Sequence, residues 1–324
     1  MVRGNDLALS ENHVTVAVVQ AGSILFDRER TRRKAADFTL DAARRGARLI
    51  VFPEAFVGGY PKGLDFGARV GSRTPEGREQ FRIYYENAME VPGPGCDYLG
   101  SLAREHAVDL VIGVVERDGG TLYCTVLFFA PDGSLRGKHR KLMPTAAERL
   151  VWGFGDGSTL PVFETRVGRV GAVICWENYM PLLRMAMYGK GIELYCAPTV
   201  DDRETWLPTM RHIALEGRCF VLSACQYLRR SDCPVAYDLP HPVDADTALI
   251  GGGSVIVSPM GEVLAGPHRG GEAVLTAELD LGDLSRGKYD LDVTGHYARP
   301  DVFRLIVDET RKPAVAAMPA EGGI

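Results

Sequence analysis

The segment 169–190, RVGAVICWENYMPLLRMAMYGK, constrains the fold more than any other part of the chain. Residues 170–174 are mostly apolar and include β-branched side chains, which favour a strand, whereas residues 181–188 are rich in helix formers. Pro181 suits the first turn of that helix, because its missing N–H has no intrahelical partner there. The segment therefore predicts a strand, a polar turn and a helix, with Cys175 as the last residue of the strand.

The position predicted for Cys175 suits a nucleophile. Open α/β sheets bind ligands beyond the carboxyl ends of their strands, and free N–H groups at a helix N-terminus favour a thiolate or a developing oxyanion. A cysteine at this place can equally be a small buried hydrophobic residue, as most free cysteines are. This segment alone leaves both interpretations of Cys175 open.

Two further parts of the chain alternate strand and helix in the same way. Apolar runs at 14–21 and 48–52 flank a stretch, 27–47, in which apolar residues recur at helical spacing. The second unit comprises a predicted strand at 192–197, a helix near 207–217 and a strand at 219–226. Because such units place parallel strands side by side, we expect an α/β fold.

Other strands are predicted to be antiparallel, so the sheet is expected to be mixed. Residues 109–117 and 122–131 alternate on either side of Asp-Gly-Gly turn residues, which indicates a hairpin. The segment 138–158 is rich in charge, Gly and Trp, and it is predicted to be a functional polar loop. We expect one domain over residues 1–310 and a flexible, Pro/Gly-rich C-terminal tail over 311–324.

Composition narrows the class of protein. The formal charge of -5 and the pI near 5.9 argue against a nucleic-acid partner. The N-terminal residues lack an apolar signal core and no apolar run reaches the length of a membrane span, so we expect a cytoplasmic protein without membrane contact. The seven cysteines are scattered without the spacing of disulfide frameworks or zinc sites. We therefore expect free thiols and no metal.

Three chemically costly residues are predicted near strand ends. Glu54 follows an apolar run, Lys141 lies within HRKLMPT, and Cys175 follows VGAVI. A thiol, an ammonium group and a carboxylate can supply a nucleophile, a stabilising cation and a proton acceptor. Whether the three side chains meet in space is not decided by these patterns.

Several segments resemble the signature blocks of nitrilases in the carbon-nitrogen hydrolase superfamily. They are FPEAFVGGYP, HRKLMPTAAERLVWGFGDGS, GAVICWENYMPLLRMAMYGKGIELYCAPT, HIALEGRCFVLSACQ, GGGSVIVSPMGEVLAGP and GHYARPDVF. The resemblance extends from residue 14 to about 303. It is closest to true nitrilases, including plant and bacterial ones, because Trp176, Glu177 and Asn178 follow Cys175.

The resemblance implies a role for each residue of the candidate site. Cys175 would be the nucleophile, Glu54 the general base and Lys141 the electrophilic partner that also stabilises an oxyanion. Glu148 would position the substrate and the lysine, although an ordinary salt bridge to a neighbouring arginine is the alternative. The implied fold is a four-layer αββα sandwich, and the implied reaction converts a nitrile and two waters into a carboxylic acid and ammonia without a cofactor.

The substrate pocket and the oligomeric assembly are predicted in less detail than the catalytic residues. Candidates for the pocket wall and for oxyanion contacts are Trp176 (through its backbone N–H), Tyr60, Thr199, Val200 and Met143. They do not choose between aliphatic, aromatic and arylacetonitrile substrates. The resemblance also implies a homodimer that extends into larger oligomers or spirals. Its contact is expected at the helices after Cys175 and Cys196, with an apolar seam of Met180, Leu183, Met187 and Tyr188.

Other functions remain open at this point. An amide hydrolase would use the same Cys-Lys-Glu set, and a ligand-binding regulatory protein would carry an inert cysteine. A papain-like pairing of Cys175 with His212 or His296 is a rival chemistry, but the local signatures of those proteases are missing. Ammonia release from nitriles separates the enzyme hypotheses.

Overall fold

The computed structural model describes residues 12–234, 237, 239, 242–313 and 315. Its strands are β1 His13–Gln20, β2 Leu49–Val51, β3 Ala68–Arg69, β4 Ser72–Arg73, β5 Met89–Glu90, β6 Asp109–Asp118, β7 Thr121–Phe129, β8 Leu135–Arg140, β9 Val162–Thr165, β10 Gly168–Ala172, β11 Leu194–Cys196, β12 Phe220–Ser223, β13 Tyr227–Arg229, β14 Ala248–Val257, β15 Val263–Arg269 and β16 Ala273–Asp280. Its α-helices are α1 Arg28–Arg44, α2 Pro75–Asn87, α3 Pro94–His106, α4 Pro181–Gly189, α5 Trp206–Gly217 and α6 Gly282–Gly287. Short 3-10 helices cover Ala146–Leu150, Gly157–Thr159, Cys175–Tyr179 and Arg230–Asp232.

The strands form two mixed seven-stranded sheets and a small hairpin of β3 and β4. The first sheet has the order β16-β1-β2-β6-β7-β8, with β5 beside β6, and its β1, β2 and β6 are parallel. The second sheet has the order β13-β14-β12-β11-β10-β9, with β15 beside β14, and its β10, β11 and β12 are parallel. The predicted strand–helix–strand units and hairpins are thus present.

Each sheet buries both of its faces, which makes four layers. In β1, Val16 and Val18 belong to a core between the two sheets, whereas Ala17 and Val19 pack with α1 and α3. The outer face of the second sheet packs against α4 and α5. Strands buried on both faces are apolar at nearly every position, which explains the unbroken apolar runs in the sequence. The predicted αββα sandwich is confirmed.

Local signals place the first helix as predicted. The side chain of Asp27 accepts a hydrogen bond from the Arg30 N–H at 2.9 Å and caps the N-terminus of α1. The helix ends two residues before Gly46, whose φ of 88° lies in the left-handed region that glycine tolerates. Among the described helices, none has the length and apolar character needed to cross a bilayer.

Three expectations need correction or fall outside the description. The predicted loop 138–158 begins as strand, because residues 138–140 belong to β8 and pair with β7. The predicted dimer seam is wrong for Leu183, Met187 and Tyr188, which are buried in the core of their own chain. The tail predicted over 311–324 lies mostly outside the described residues, as does the N-terminal stretch 1–11.

Candidate active site

The candidate site lies at the carboxyl ends of strands from both sheets. Glu54 follows β2 and Lys141 follows β8 in the first sheet, while Cys175 and Thr199 follow β10 and β11 in the second. β8 runs parallel to β2 and β6, because it and β6 are both antiparallel to β7. The stacking of the two sheets brings these chain segments together at one end of the sandwich.

Lys141 is the centre of a buried ionic cluster. Its Nζ lies 2.6 Å from Glu54 Oε1 and 2.8 Å from Glu148 Oε2, and its side chain is fully buried. Two carboxylates therefore share one ammonium group. Burial alone would lower the pKa of Lys141, but the charge of Glu54 raises it well above its usual range. Lys141 is a permanent cation in this site.

The two carboxylate oxygens of Glu54 have different surroundings. Oε1 contacts Lys141 Nζ and lies 3.5 Å from the Cys124 Sγ, while Oε2 is buried with no hydrogen-bond partner among the described residues. The side chain of Gln226 donates to the backbone oxygen of Glu54 at 2.7 Å and holds the segment in place. Burial raises the pKa of Glu54, against the opposing effect of Lys141. A carboxylate with a raised pKa and a free oxygen can accept a proton.

Cys175 is placed differently from the prediction. The strand β10 ends at Ala172, and Cys175 is the first residue of a 3-10 helix with a φ of 50°. Its N–H donates to the Pro198 oxygen at 2.9 Å, and its carbonyl oxygen accepts from Asn178 Nδ2 at 2.7 Å. These bonds hold a left-handed conformation that costs a non-glycine residue about 1–2 kcal/mol.

The thiol of Cys175 is neutral at rest, which corrects the expectation of a helix-stabilised thiolate. Burial and then the charge of Glu54 raise its pKa, and these effects outweigh the opposing one of Lys141. The helix α4 begins only at Pro181, so its N-terminus is not adjacent to the sulfur. Thr199 Oγ1 lies 3.1 Å from Cys175 Sγ and can donate a hydrogen bond to it.

Glu148 bonds to Lys141 and not to a neighbouring arginine. Its Oε2 accepts from the Thr145 N–H at 2.7 Å, and its Oε1 accepts from the Tyr60 hydroxyl at 2.8 Å. Arg149 instead donates to the Pro144 oxygen. Glu148 therefore connects the lysine to Tyr60, whose pKa is raised by burial and by the charge of Glu148, so that the phenol stays protonated.

The other predicted pocket residues divide between the cluster and the surface. Val200 is buried in the same core as Cys175. Trp176 is 42% exposed, with its Nε1 2.8 Å from Asp201 Oδ2 and the Arg203 guanidinium 4.7 Å from its ring centroid. In the 3-10 helix that contains Trp176, the first intrahelical hydrogen bond is donated by the N–H of Glu177. The Trp176 N–H lies one residue earlier and is not one of the intrahelical donors. Met143 is 43% exposed at the surface.

Residues outside the predicted set also shape the site. Cys124, Gln226 and Asn178 contact Glu54 or Cys175 directly. The pairing of β7 with β8 could have indicated Cys124 as a site residue. This pairing brings Cys124 next to Lys141, whose N–H donates to the Cys124 oxygen at 2.8 Å. The described residues hold no group of three His, Cys, Asp or Glu side chains that would suit a metal ion. His212 lies at the surface with Nε2 3.6 Å from Glu216, so it is not a partner for Cys175.

The chain belongs to the carbon-nitrogen hydrolase family, whose model matches residues 15–289. It is 60% identical to an aliphatic nitrilase of Sinorhizobium fredii over 92% of this chain and 97% of that protein. It is also 56% identical to a bifunctional nitrilase/nitrile hydratase of Lupinus angustifolius, over 91% of this chain and 86% of that protein.

Solved structures share the fold. A Saccharomyces cerevisiae member of branch 10 of the nitrilase superfamily has a TM-score of 0.66 at 24% identity and covers 88% of this chain and 97% of its own. The C. elegans NitFhit protein has a TM-score of 0.69 at 20% identity, over 94% of this chain and 69% of its own. The four-layer architecture is therefore that of the nitrilase superfamily.

Proposed function

We propose that the protein is a nitrilase, which hydrolyses an organic nitrile to the carboxylic acid and ammonia without a cofactor. The observation that carries the proposal is the buried cluster of Cys175, Glu54 and Lys141. It occurs in a chain 60% identical to an aliphatic nitrilase over nearly its whole length. The thiol supplies the nucleophile, the carboxylate moves protons and the ammonium stabilises developing charge.

The first half of the reaction attaches the substrate to the enzyme. Glu54 takes the proton of the Cys175 thiol as the sulfur attacks the nitrile carbon, and the proton then passes to the nitrile nitrogen. One C–S bond forms, one C–N π bond breaks and a thioimidate results. Because the proton moves between neighbouring groups, the net charge of the buried cluster does not change during the attack.

The second half releases the products. Water adds to the thioimidate carbon to give a tetrahedral adduct that carries nitrogen, oxygen and sulfur. Protonation of the nitrogen expels ammonia and leaves a thioester, and a second water then frees the acid and restores the thiol. Lys141 and the Trp176 N–H would stabilise negative charge on the substrate, in a site that is largely shielded from water.

The same adduct can also expel the thiolate, which gives the amide. The balance depends on proton delivery to the nitrogen, and that delivery depends on where Glu54 and Lys141 are held. Glu148 binds Lys141 through its Oε2 and is itself held by the Tyr60 hydroxyl, which donates to its Oε1. We infer a minor amide product, in keeping with the name of the Lupinus relative.

The test is an ammonia-release assay over aliphatic, aromatic and arylacetonitrile substrates, with the matching amides as controls. Cys175→Ala should abolish ammonia release, whereas Cys196→Ala, at an equally buried cysteine that ends the neighbouring strand β11, should retain it. Nitrile turnover faster than amide turnover supports the proposal. Amides hydrolysed faster than nitriles would make the protein an amide hydrolase instead, and a Cys175 that reacts with alkylating agents no faster than free thiol would favour the inert-cysteine hypothesis.

We also propose a homodimer that assembles further, formed by one domain over 1–310. The exposed apolar side chains of the two helices expected at the contact are Leu182 in α4, 68% exposed, and Leu215 in α5, 38% exposed. Light scattering at micromolar concentration should report a species larger than 35.3 kDa, and Leu182→Glu should reduce its size. A monomer in the unmodified protein would refute this proposal.

The cytoplasm is the compartment we propose. All seven cysteines are free in the structure. Unpaired thiols persist in reducing compartments, whereas secreted proteins tend to pair them. Fractionation of the producing cells, with activity in the cytoplasmic fraction, is the measurement that checks it.

A further inference from the structure

A second charged pair lies beside the catalytic cluster and takes no part in the reaction proposed above. His139 is in β8 of the first sheet, and Glu177 is in the 3-10 helix that begins at Cys175 after the second sheet. Nε2 of the histidine is 2.9 Å from Oε2 of the glutamate, and both side chains are fully buried. The pair therefore joins the two sheets close to the site.

The hydrogen-bond partners show that both members of the pair are charged. Nδ1 of His139 faces the carbonyl oxygen of Thr159, and Nε2 faces the Glu177 carboxylate, so each ring nitrogen meets an acceptor. Both nitrogens must carry a proton to satisfy these contacts, which makes the ring an imidazolium. Glu177 accepts two backbone N–H bonds in addition, as expected of an ionised carboxylate.

Those two backbone bonds connect the catalytic segments. The Leu142 N–H, immediately after Lys141, donates to Glu177 Oε1 at 2.6 Å. The Ile174 N–H, immediately before Cys175, donates to Glu177 Oε2 at 2.9 Å. One carboxylate thus holds the main chain next to the cation and next to the nucleophile.

A fixed spacing matters here because the two catalytic residues come from different sheets. The Cys175 φ of 50° persists only where surrounding bonds enforce it. A displacement of about 1 Å can cost on the order of a hundredfold in rate. A buried ion pair adds little net stability compared with apolar residues of similar size, so its main contribution is geometric.

We propose that His139 and Glu177 are positioning residues that set the spacing between Lys141 and Cys175, a proposal that rests on the nitrilase function proposed above. Glu177 binds both segments, and His139 neutralises and orients Glu177. Neither side chain touches the substrate in this role. The pair acts through the two residues that it holds.

The test compares Glu177→Gln and His139→Gln with the unmodified protein. The amide of Glu177→Gln keeps the shape but replaces an acceptor oxygen with a donor group, so at least one of its three hydrogen bonds is lost. We expect kcat to fall about 30- to 100-fold with KM changed less than about threefold, and the amide share of the product to rise. His139→Gln should show a smaller fall in kcat, because Glu177 keeps both backbone bonds.

Glu116→Gln is the matched control. Glu116 is an equally buried carboxylate of the first sheet, and it binds Lys138 and Arg140 on either side of His139 in β8. Among the described residues it makes no bond to the main chain of Lys141 or Cys175, so its loss should lower Tm and leave kcat and the amide share within twofold of the unmodified protein. Equal effects of Glu116→Gln and Glu177→Gln on kcat and product ratio would overturn the positioning role.

A second readout keeps this proposal separate from the nitrilase assignment. Alkylation of Cys175 by iodoacetamide, followed by peptide mass spectrometry, needs no nitrile turnover. We expect alkylation at least about threefold slower in Glu177→Gln than in Glu116→Gln, because the thiol loses its alignment with the groups that assist its ionisation. An unchanged or faster reaction in folded Glu177→Gln overturns the proposal, and if that variant does not fold, the same comparison with His139→Gln decides it.

Discussion

The charge balance around Lys141 determines how a neutral thiol becomes a nucleophile. Glu54 and Glu148 both contact the single ammonium group, so an additional thiolate would leave the buried cluster with excess negative charge. Transfer of the Cys175 proton to Glu54 avoids that excess, because one anion replaces another. The raised pKa values of the thiol and of the carboxylate are therefore compatible with catalysis.

Substitutions of Glu54 and Lys141 test this balance. Glu54→Gln removes the proton acceptor, and Lys141→Ala removes the cation that stabilises the substrate charge. Each should lower kcat by at least about a hundredfold, the low end for the loss of such a group. Lys141→Arg should not restore activity, because a planar guanidinium cannot fit between the two carboxylates as a compact ammonium does. Steady-state kinetics provide the measurement, and full activity in Lys141→Arg would remove the lysine from the mechanism.

Glu148→Gln should change the product ratio. The variant keeps the size of the side chain but weakens its hold on Lys141, with which Glu148 Oε2 makes a 2.8 Å contact. We expect a larger amide fraction and a fall in kcat of at most about tenfold, because proton delivery to the departing nitrogen is impaired. Chromatography of acid and amide measures the ratio. Intact-protein mass spectrometry after acid quench should show an acyl adduct on Cys175. Tyr60→Phe, which removes the hydroxyl that donates to Glu148 Oε1, should shift the ratio in the same direction.

The sequence indicated which residues form the candidate site better than it indicated the backbone conformation of those residues. The sequence singled out Glu54, Lys141 and Glu148, and the structure places the three side chains in contact, while their catalytic roles stay predictions. The positive φ of Cys175 could not be predicted, because a left-handed cysteine depends on bonds to Pro198 and Asn178, both supplied by the folded turn. The contact of Thr199 with the sulfur likewise depends on the alignment of two parallel strands.

At the level of elements, apolar runs were predicted well and polar strands were not. The strand β8 reads LRGKHR, which looks like a charged loop when taken alone. It is a strand because β7 offers a pairing edge and because the buried Glu116 accepts bonds from Lys138 and Arg140. The pairing with β7 makes β8 a strand, and its charged side chains bind a partner more than twenty residues away in sequence.

The neighbouring β6–β7 hairpin supports Glu54 through a glycine. Gly113 in β6 lies against the chain segment that carries the carboxylate, where a Cβ would sit 2.2 Å from the Pro53 oxygen and 2.8 Å from the Glu54 Cα. Neither atom belongs to a flexible side chain, so the backbone must move. We expect Gly113→Ala to lower kcat at least about tenfold, since catalytic alignment tolerates little displacement.

Gly120→Ala is the control for this substitution. Gly120 lies in the turn of the same β6–β7 hairpin, and a Cβ there would meet nothing within 4 Å. Its kcat and Tm should match those of the unmodified protein. If Gly113→Ala retains full activity in the same assay, then the backbone of Glu54 has more freedom than the close contacts imply.

On the scale of the whole molecule, the site exists because two sheets stack with their strand ends aligned. The side chain of Gln20 in the first sheet accepts from the N–H groups of Gly253 and Ser254 in the second, each at 3.0 Å. The side chain of Gln226 makes a similar link to Glu54. Periodicity in the sequence predicts strands and helices, but these bonds of Gln20 and Gln226 join residues more than 170 positions apart and leave no local signal.

The stability of the whole sandwich should depend on Asp109. This residue begins β6, is 4% exposed, and has one carboxylate oxygen buried without a partner among the described residues. Burial raises its pKa from 3.8 to about 6, against the opposing effect of the Arg136 and Arg166 charges. A folded-state pKa above the unfolded one means that the folded protein binds the proton more tightly. The stabilisation is thus present in full below about pH 4 and is lost as the pH rises through 6.

Asp109→Asn should therefore stabilise the protein at alkaline pH and not at acid pH. Each unit of pKa shift corresponds to about 1.4 kcal/mol, so we expect the free energy of unfolding to rise by at least about 1 kcal/mol at pH 8. The difference from the unmodified protein should shrink towards zero as the pH falls to 4, where Asp109 is protonated in the fold. Denaturant unfolding between pH 4 and 8 measures both. Asp132→Asn, at an exposed carboxylate whose pKa is lowered by hydrogen bonds from Ser134, should give no gain at pH 8, and an equal gain there would exclude burial of Asp109 as the cause.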